Sequence, residues 1–205
     1  MSDFYRPFQL YFRRHRMKRF AELFKPGERT RIIDVGGYEF NWTLIDVKPH
    51  VLLVNLEDEH WRKGQFTKIK GDGRHLDFAD HSFDIAYSNS VIEHVGTRAD
   101  QVAFAKEVRR VAKRYYVQTP NRNFFVEPHL IAPFIHLLPY PLTRKLVRRF
   151  SVWGWVQKPC QATVDEFLGS IRLLDRHEMQ RLFPDAEILE ETFMGMTKSL
   201  IAVRR

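Results

Sequence analysis

Five short apolar runs between residues 31 and 117 alternate with longer stretches of turn residues or helical spacing. This alternation constrains the fold more than any other feature of the sequence. The runs are rich in Ile, Val and Tyr, which favour strands, and they cover residues 31–35, 51–54, 66–70, 85–87 and 115–117. Strands joined by crossovers of this length form parallel sheets with right-handed connections. The sequence therefore predicts a doubly wound, Rossmann-like α/β fold.

The rest of the chain completes this architecture. Aromatic residues at helical spacing, with Arg and Lys between them, predict a helix over 4–24 within an N-terminal arm over 1–28. Two last runs, 186–191 and 199–203, predict a hairpin, which gives a mostly parallel seven-stranded sheet with an antiparallel last strand. Residues 120–160 hold six of the ten prolines, which indicates a substrate lid. We expect a single domain over 1–205.

Composition excludes several classes of protein. The chain has 205 residues and one cysteine, Cys160, so it cannot form an internal disulfide or a cysteine-rich zinc site. The first residues lack the apolar centre of a secretory signal. The longest mostly apolar run, 130–142, contains three prolines and is too short to span a bilayer. We therefore expect a cytoplasmic protein.

Small or polar residues follow each of the first four strands, where a parallel sheet binds its ligand. Glycines after the first strand allow a ligand to approach the backbone closely, and polar groups after the second strand can bond ribose hydroxyls. The third segment offers an aspartate as an acceptor for an adenine amino group. The candidate cofactor-binding residues are Asp34, Gly36, Gly37, Tyr38, Asn55, Leu56, Asp72, Gly73, Ser88, Asn89 and Ser90.

The order of these segments resembles the class I S-adenosylmethionine-dependent methyltransferases, and most closely their small-molecule branch related to quinone-biosynthesis enzymes. The motifs read DVGG at 34–37, GDGRHLDFADHSFD at 71–84 and SNSVIEHV at 88–95. The resemblance covers about residues 30–120, and TKSLIAVRR fits the antiparallel last strand of the same fold. It implies S-adenosylmethionine as the cofactor and in-line methyl transfer to an acceptor.

Two departures from the family pattern concern the cofactor loop. Tyr38 and Phe40 stand where further glycines are expected, and Asn55 replaces the acid that ends the second strand, with Glu57 two residues later. A neutral amide bonds ribose hydroxyls less strongly than a carboxylate. A non-catalytic cofactor-binding or interaction module on the same fold therefore stays an alternative.

Two histidines are candidates for the general base that an acceptor hydroxyl requires, because the ordinary pKa of imidazole, about 6.5, suits that task. His94 follows the mouth of the fourth strand, and His129 lies just beyond the fifth. The stretch NRNFFVEPH around His129 resembles family members encoded with glycan or natural-product genes. The histidines lack the HxxxH spacing of metal sites, so we predict no metal.

The acceptor class follows from what the sequence lacks. The net charge is +8, yet residues 32–104 hold seven basic and twelve acidic residues, which suits a cationic sulfonium. The Asn/Asp-Pro-Pro-aromatic motif of base methylation is missing, so nucleic acid is disfavoured, although the basic flanks keep an RNA methyltransferase as the alternative. We expect a small-molecule, sugar or lipid-linked acceptor, and the basic flanks suit an anionic one. The basic helices predicted over 4–24 and around 142–150 allow peripheral membrane contact, with ordinary helices packed on the core as the alternative. The lid aromatics Phe124, Phe125, Trp153 and Trp155 would shape its pocket.

Overall fold

The computed structural model describes residues 6–205, which form ten strands and six α-helices. The strands are β1 Arg31–Val35, β2 His50–Asn55, β3 Trp61–Lys63, β4 Phe66–Lys70, β5 Phe83–Asn89, β6 Ala112–Pro120, β7 Val126–Glu127, β8 Ala132–Pro133, β9 Glu187–Phe193 and β10 Met196–Arg204. The helices are α1 Arg6–Phe24, α2 Arg98–Val111, α3 Tyr140–Phe150, α4 Val152–Gln157, α5 Gln161–Gly169 and α6 Arg176–Leu182. The predicted first helix includes Phe4, which lies outside the described residues.

The main sheet has eight strands in the order β3-β4-β2-β1-β5-β6-β10-β9. Strand β1 pairs in parallel with β2 and β5, and β2 pairs in parallel with β4. All seven predicted strands are present, and the mostly parallel sheet with antiparallel C-terminal strands is confirmed. The eighth strand is β3, which runs antiparallel to β4 at the edge of the sheet.

The connections of the first half are less regular than a doubly wound fold predicts. Residues Glu39–Leu44 form only a 3₁₀ helix after β1, and the connection from β2 to β4 contains β3 instead of a helix. A short connection suffices at the edge because β3 can fold back on β4 through a two-residue turn with Gly64 at a positive φ of 58°.

The described chain divides into two compact units. The first unit comprises residues 6–89, 103–117 and 203–205. Its core joins α1 to the sheet through aromatic side chains, with the ring of Phe20 at 5.6 Å from Trp42, 5.3 Å from Tyr87 and 5.7 Å from Tyr116. Edge-to-face contacts of this kind add to the stability that their buried area supplies. This packing fixes the first strands and the loops that follow them.

The second unit comprises residues 90–102 and 118–202. Helices α3 to α5 enclose an apolar core of five buried side chains: Leu130, Ala132, Ile135, Val147 and Val164. The rings of Trp153 and Phe167 stack at 4.4 Å on its border. Residues 140–150 and 152–157 of the range 120–160 are thus helical, and the predicted substrate lid over this range stays a prediction.

Local signals explain the helix ends of the second unit. The Ser151 hydroxyl accepts a bond of 2.9 Å from the Gly154 N–H, which caps the start of α4. Asp175 and Glu178 form a capping box at the start of α6. Within residues 6–205, no helix is both long and apolar enough to cross a membrane.

Candidate functional site

The loop after β1 is built around a buried carboxylate. The Trp42 indole donates a bond of 2.8 Å to Asp34 Oδ2, and Asp34 is fully buried. Gly36 has a positive φ of 78°, and its N–H donates to Val54 O at 2.7 Å. A Cβ on Gly37 would stand 1.9 Å from Asp34 Oδ2. The second glycine of the loop is therefore required by the packing of Asp34.

The environment of Asp34 disfavours its charged form. Burial raises its pKa to about 7, and the bond from Trp42 offsets only part of that effect. The other carboxylate oxygen, Oδ1, is buried and has no hydrogen-bond partner among residues 6–205. Asp34 thus shapes the loop from the inside, and its predicted role as a direct cofactor ligand stays a prediction.

The end of β2 presents a carboxylate two residues later than the family pattern. The Asn55 amide donates to Gly37 O at 2.8 Å, so it holds the glycine loop. Glu57 accepts bonds from the Tyr38 hydroxyl at 2.9 Å and from Lys68 Nζ at 2.7 Å, which lower its pKa. Its side chain is 51% exposed. Glu57 is therefore an exposed carboxylate at the end of β2 that was not among the predicted site residues. Its position two residues after Asn55 was the only signal in the sequence.

The segment after β4 is occupied by its own ion pair. The Arg74 guanidinium donates from Nε and Nη2 to the Asp72 carboxylate, with the shortest bond at 2.6 Å. A Cβ on Gly73 would stand 2.6 Å from Val35 and 2.7 Å from Phe104. Gly73 is therefore needed for packing, and an adenine amino group would share Asp72 with Arg74.

The last two residues of β5 and the residue after it have internal partners. The Ser88 hydroxyl is buried and donates to Val35 O at 2.9 Å, and the Asn89 amide oxygen accepts a bond from Arg16 in α1. Ser90, in the second unit, has a positive φ of 57°, and its hydroxyl donates to Gln118 Oε1 at 2.9 Å. A non-glycine residue in the left-handed region is uncommon and is found at functional turns.

The first unit also has a polar cleft of about 450 Å³, and Tyr38 and Glu39 of the loop after β1 form part of its lining. Its lining is Tyr38, Glu39, Glu57, Glu59, Trp61, Lys63 and Lys68. Lys68 is buried and donates to Glu57 at 2.7 Å and to Glu59 at 2.6 Å. These two bonds raise its pKa and hold both carboxylates at the end of the sheet.

The second unit brings the two predicted histidines together. His94 Nε2 and His129 Nε2 lie 3.1 Å apart, although the residues are 35 positions apart in the chain. His129 Nδ1 lies 2.6 Å from Glu127 Oε1, and Glu127 is buried. The Thr119 hydroxyl donates to the buried Glu93 at 2.9 Å. The sequence alone did not pair Glu93 or Glu127 with His129. The available signal was that Glu127 and His129 are two residues apart.

The two imidazoles have opposite electrostatic environments. Burial and the charge of His129 lower the pKa of His94 to about 4. Burial also acts to lower the pKa of His129, but the bond and charge of Glu127, with the charge of Glu93, outweigh it and raise the pKa. His94 is therefore the neutral member of the pair, and a proton on His129 is stabilised by Glu127.

A second cavity, of about 310 Å³, lies in the same unit. Its walls combine apolar and cationic side chains: Arg122, Glu127, Leu130, His136, Leu138, Tyr140, Thr143, Phe167, Leu168, Ile171, Arg172 and Leu173. Arg122 pairs with Asp175 and with Glu178 at 3.0 Å, whereas the Arg172 guanidinium has no ion-pair partner in the described part of the chain. Glu127 links this cavity to His129.

Comparison with protein families identifies the first unit. Residues 27–115 match the family described as a methyltransferase domain, and this range contains the loops after β1, β2, β4 and β5. This match, which covers 89 of the 205 residues, supports an S-adenosylmethionine-dependent methyltransferase domain in the chain. S-Adenosylmethionine is accordingly its cofactor, as the motifs predicted. None of the curated proteins matches the chain.

Solved structures share the fold of the methyltransferase at low identity. A chain from the Haloferax volcanii complex of the Trm112 methyltransferase activator with a methyltransferase is 15% identical, with a TM-score of 0.58, over 97% of this chain and 92% of that one. The PH0226 protein of Pyrococcus horikoshii is 17% identical, with a TM-score of 0.54, over 99% and 98%. Phosphoethanolamine N-methyltransferase 2 of Haemonchus contortus, in complex with S-adenosylmethionine, is 13% identical, with a TM-score of 0.56, over 87% and 39%.

The residues of the first unit fit the cofactor of the methyltransferase. The exposed Glu57 carboxylate can accept from ribose hydroxyls, and Leu56, 72% exposed beside it, offers an apolar surface. The acidic groups Glu39, Glu57 and Glu59 suit a cationic sulfonium. The loop of Gly36 and Gly37 would be the backbone contact, as in other sheets that bind ligands at their carboxyl ends.

Proposed function

We propose that the methyltransferase methylates a hydroxyl group of a small anionic acceptor, such as a sugar or a lipid-linked sugar. The observation that carries this proposal is the chain of contacts from Glu127 through His129 to His94. This chain begins at the wall of a cavity with apolar and cationic sides. The resemblance of the motifs at 71–84 and 88–95 to quinone-biosynthesis enzymes supports a small-molecule acceptor.

The first unit would hold the cofactor through Gly36, Gly37, Tyr38, Glu57 and Asp72. When bound, S-adenosylmethionine supplies an electrophilic methyl group on sulfur. The protein then has two tasks, to position the acceptor oxygen and to remove its proton. Good positioning of reactants can lower a barrier by about 7–11 kcal/mol, so a rigid packed loop such as the one around Asp34 suits this role.

The second unit would remove the proton from the acceptor. An imidazole Nε2 of the histidine pair takes the hydroxyl proton, and the second imidazole and Glu127 hold the charge that this transfer creates. General base catalysis of this kind contributes about 10²–10⁴ in rate. Glu127 is buried and its other oxygen accepts from the Leu130 N–H, so the orientation of His129 is fixed by the backbone.

The cavity of the second unit supports an anionic acceptor. Arg172 is a cation without an ion-pair partner in residues 6–205, and His136 lies on the same wall. Leu130, Phe167 and Leu168 would contact an apolar part of the acceptor. A pocket with a mainly apolar surface and a few convergent polar groups is the usual form of a small-molecule site.

A screen of methyl transfer from labelled S-adenosylmethionine tests the proposal. The acceptors are matched pairs of anionic and neutral sugars, phenols and lipid fractions, with a short RNA as a further substrate. We expect label on an anionic hydroxyl compound, and we expect Arg172→Gln to raise the KM for that acceptor with little change for a neutral one. Label on RNA alone, or cofactor binding with no transfer to any acceptor, would overturn it in favour of an RNA methyltransferase or a binding module.

A basic apolar surface favours a second proposal, that the methyltransferase contacts anionic membranes from one side. Exposed apolar residues cluster in the stretch from 134 to 156: Phe134, Leu137, Leu138, Tyr140, Leu142, Phe150, Trp155 and Val156. The basic residues of α3 lie among them, and they are Arg144, Lys145, Arg148 and Arg149. Helices with this composition bind the interface of anionic bilayers.

Co-sedimentation with vesicles tests the membrane proposal. Phosphatidylserine-rich vesicles, which have a negative surface potential, should retain the protein at low salt, and pure phosphatidylcholine vesicles should not. Trp155→Ser with Phe150→Ser should abolish retention. Equal sedimentation with both vesicle types, or none with either, contradicts the proposal.

A further inference from the structure

Three side chains of the second unit direct metal-binding atoms toward one point. The ligand atoms of Glu93, His94 and His129 all lie within 4.8 Å of one another. We name these three residues the His–Glu cluster. Two imidazoles and one carboxylate are the ligand set of many catalytic zinc sites, where a fourth position stays open. The sequence did not signal this cluster because His129 lies 35 positions after His94.

The hydrogen bonds around the cluster orient both imidazoles. His129 Nδ1 bonds to the Glu127 carboxylate at 2.6 Å, and His94 forms a hydrogen bond with the backbone of Ser170. The bond to Glu127 occupies Nδ1 of His129 and leaves its Nε2 facing the Nε2 of His94. Histidines that bind metals show the same arrangement, with the far nitrogen held by a carboxylate or a backbone carbonyl.

The spacing of the two nitrogens fits a shared ion. Around a tetrahedral Zn²⁺ with bonds of about 2.0–2.1 Å, neighbouring ligand atoms lie about 3.3 Å apart. The two Nε2 atoms lie 3.1 Å apart. A carboxylate oxygen of Glu93 lies within 4.8 Å of a ring nitrogen of each histidine, and the Thr119 hydroxyl donates to Glu93 Oε2 at 2.9 Å.

We propose that the His–Glu cluster binds one divalent transition-metal ion of the Zn²⁺ type. Its protein ligands are Glu93 and the Nε2 atoms of His94 and His129, and one position is open. The inference goes beyond the proposed function and rests on it only for the effect on turnover, where the ion replaces the histidine pair in promoting loss of the acceptor proton. With the ion bound, both imidazoles are ligands, and an acceptor hydroxyl in the open position loses its proton to solvent because the cation makes it a stronger acid.

Metal titration of the full chain tests the proposal. The chain is treated with a chelator and titrated with Zn²⁺ by calorimetry, and with Co²⁺ to record the visible bands of a tetrahedral site. We expect one equivalent per chain and a rise in melting temperature that depends on Zn²⁺ concentration. The variant His94→Ala with His129→Ala should lose this equivalent, and Glu127→Gln should bind about 10–100-fold more weakly.

Controls separate this site from adventitious binding and from the proposed function. His177→Ala, which removes an exposed histidine of the same unit, should bind Zn²⁺ like the natural sequence. Binding that the double variant retains, or no stoichiometric binding by the natural sequence, overturns the metal site. Methyl transfer that survives chelation also overturns the role of the ion in turnover while leaving the proposed base intact. Stoichiometric metal binding without methyl transfer to any hydroxyl acceptor would contradict the proposed function and leave the metal site supported.

Discussion

The two units of the methyltransferase use their polar residues in different ways. In the first unit, the residues predicted to bind the cofactor mostly bond to each other or to the backbone, as Asn55 does with Gly37 and Ser88 with Val35. In the second unit, His94 and His129 present their nitrogens to each other beside buried carboxylates. The polar residues of the first unit therefore stabilise the backbone of the loop after β1, whereas those of the second unit bring two imidazoles together.

The largest expected effect tests the packing of the first unit. In Gly37→Ala, the added Cβ would stand 1.9 Å from Asp34 Oδ2, so the loop or the carboxylate must move. We expect a loss of about 3 kcal/mol or more in the free energy of unfolding, at the upper end for overpacked cores, measured by urea denaturation. Gly169→Ala is the matched control, because a Cβ there meets no atom within 4 Å. Equal stability of the two variants would show that the loop is not rigid.

A smaller effect concerns the pH dependence of the same loop. The folded-state pKa of Asp34 is about 7, above its ordinary value of 3.8, so the folded protein holds this proton to higher pH than the unfolded chain. The resulting stability is present below pH 4 and is lost as the pH rises to 7. Between pH 5 and pH 8, the expected loss is on the order of 2–3 kcal/mol.

Comparison with Asp34→Asn isolates this contribution. The amide cannot ionise, so its unfolding free energy should lack the decline between pH 4 and 7, and other titrating groups cancel in the difference. Denaturation curves at pH 5 and pH 8 give the two values for each protein. Parallel pH profiles for the natural sequence and the variant would contradict a buried, proton-holding Asp34.

The smallest expected effect on stability separates ligand binding from packing. Glu57→Gln changes a half-exposed carboxylate, so its bonds to Tyr38 and Lys68 contribute little to folding. We expect unfolding curves that superimpose on those of the natural sequence and a several-fold weaker affinity for S-adenosylmethionine by calorimetry. Unchanged affinity would remove Glu57 from the cofactor site.

Local patterns sufficed for most of the sheet. The runs at 31–35 and 66–70 match β1 and β4 to the residue, because β-branched side chains bounded by turns leave little choice. Strand β3 escaped prediction since two of its three residues are charged, and it exists through pairing with β4. The basic amphipathic helix predicted around 142–150 is α3, and Pro139 and Pro141 stand at its start, where proline is tolerated. Helices α4 and α5 were not predicted.

The site was predictable only in part. The sequence suggested His94 and His129 separately, but their contact joins residues on either side of α2 and β6. The role of Asn55 was obscured because its partner is a backbone oxygen, which every residue carries. Gly37 and Gly73 are required because a Cβ at either position would clash with Asp34, or with Val35 and Phe104. These contacts form only when the chain has folded, so the sequence alone does not show them.

Calorimetry of S-adenosylmethionine with the natural sequence and with the variant His94→Ala and His129→Ala tests the division of labour most directly. If the first unit binds the cofactor and the second acts on the acceptor, both proteins bind S-adenosylmethionine with the same affinity. Only the natural sequence then transfers the methyl group at the full rate, and the variant is about 10²–10⁴-fold slower. Loss of cofactor binding in the variant, or full turnover without the two histidines, would contradict this account.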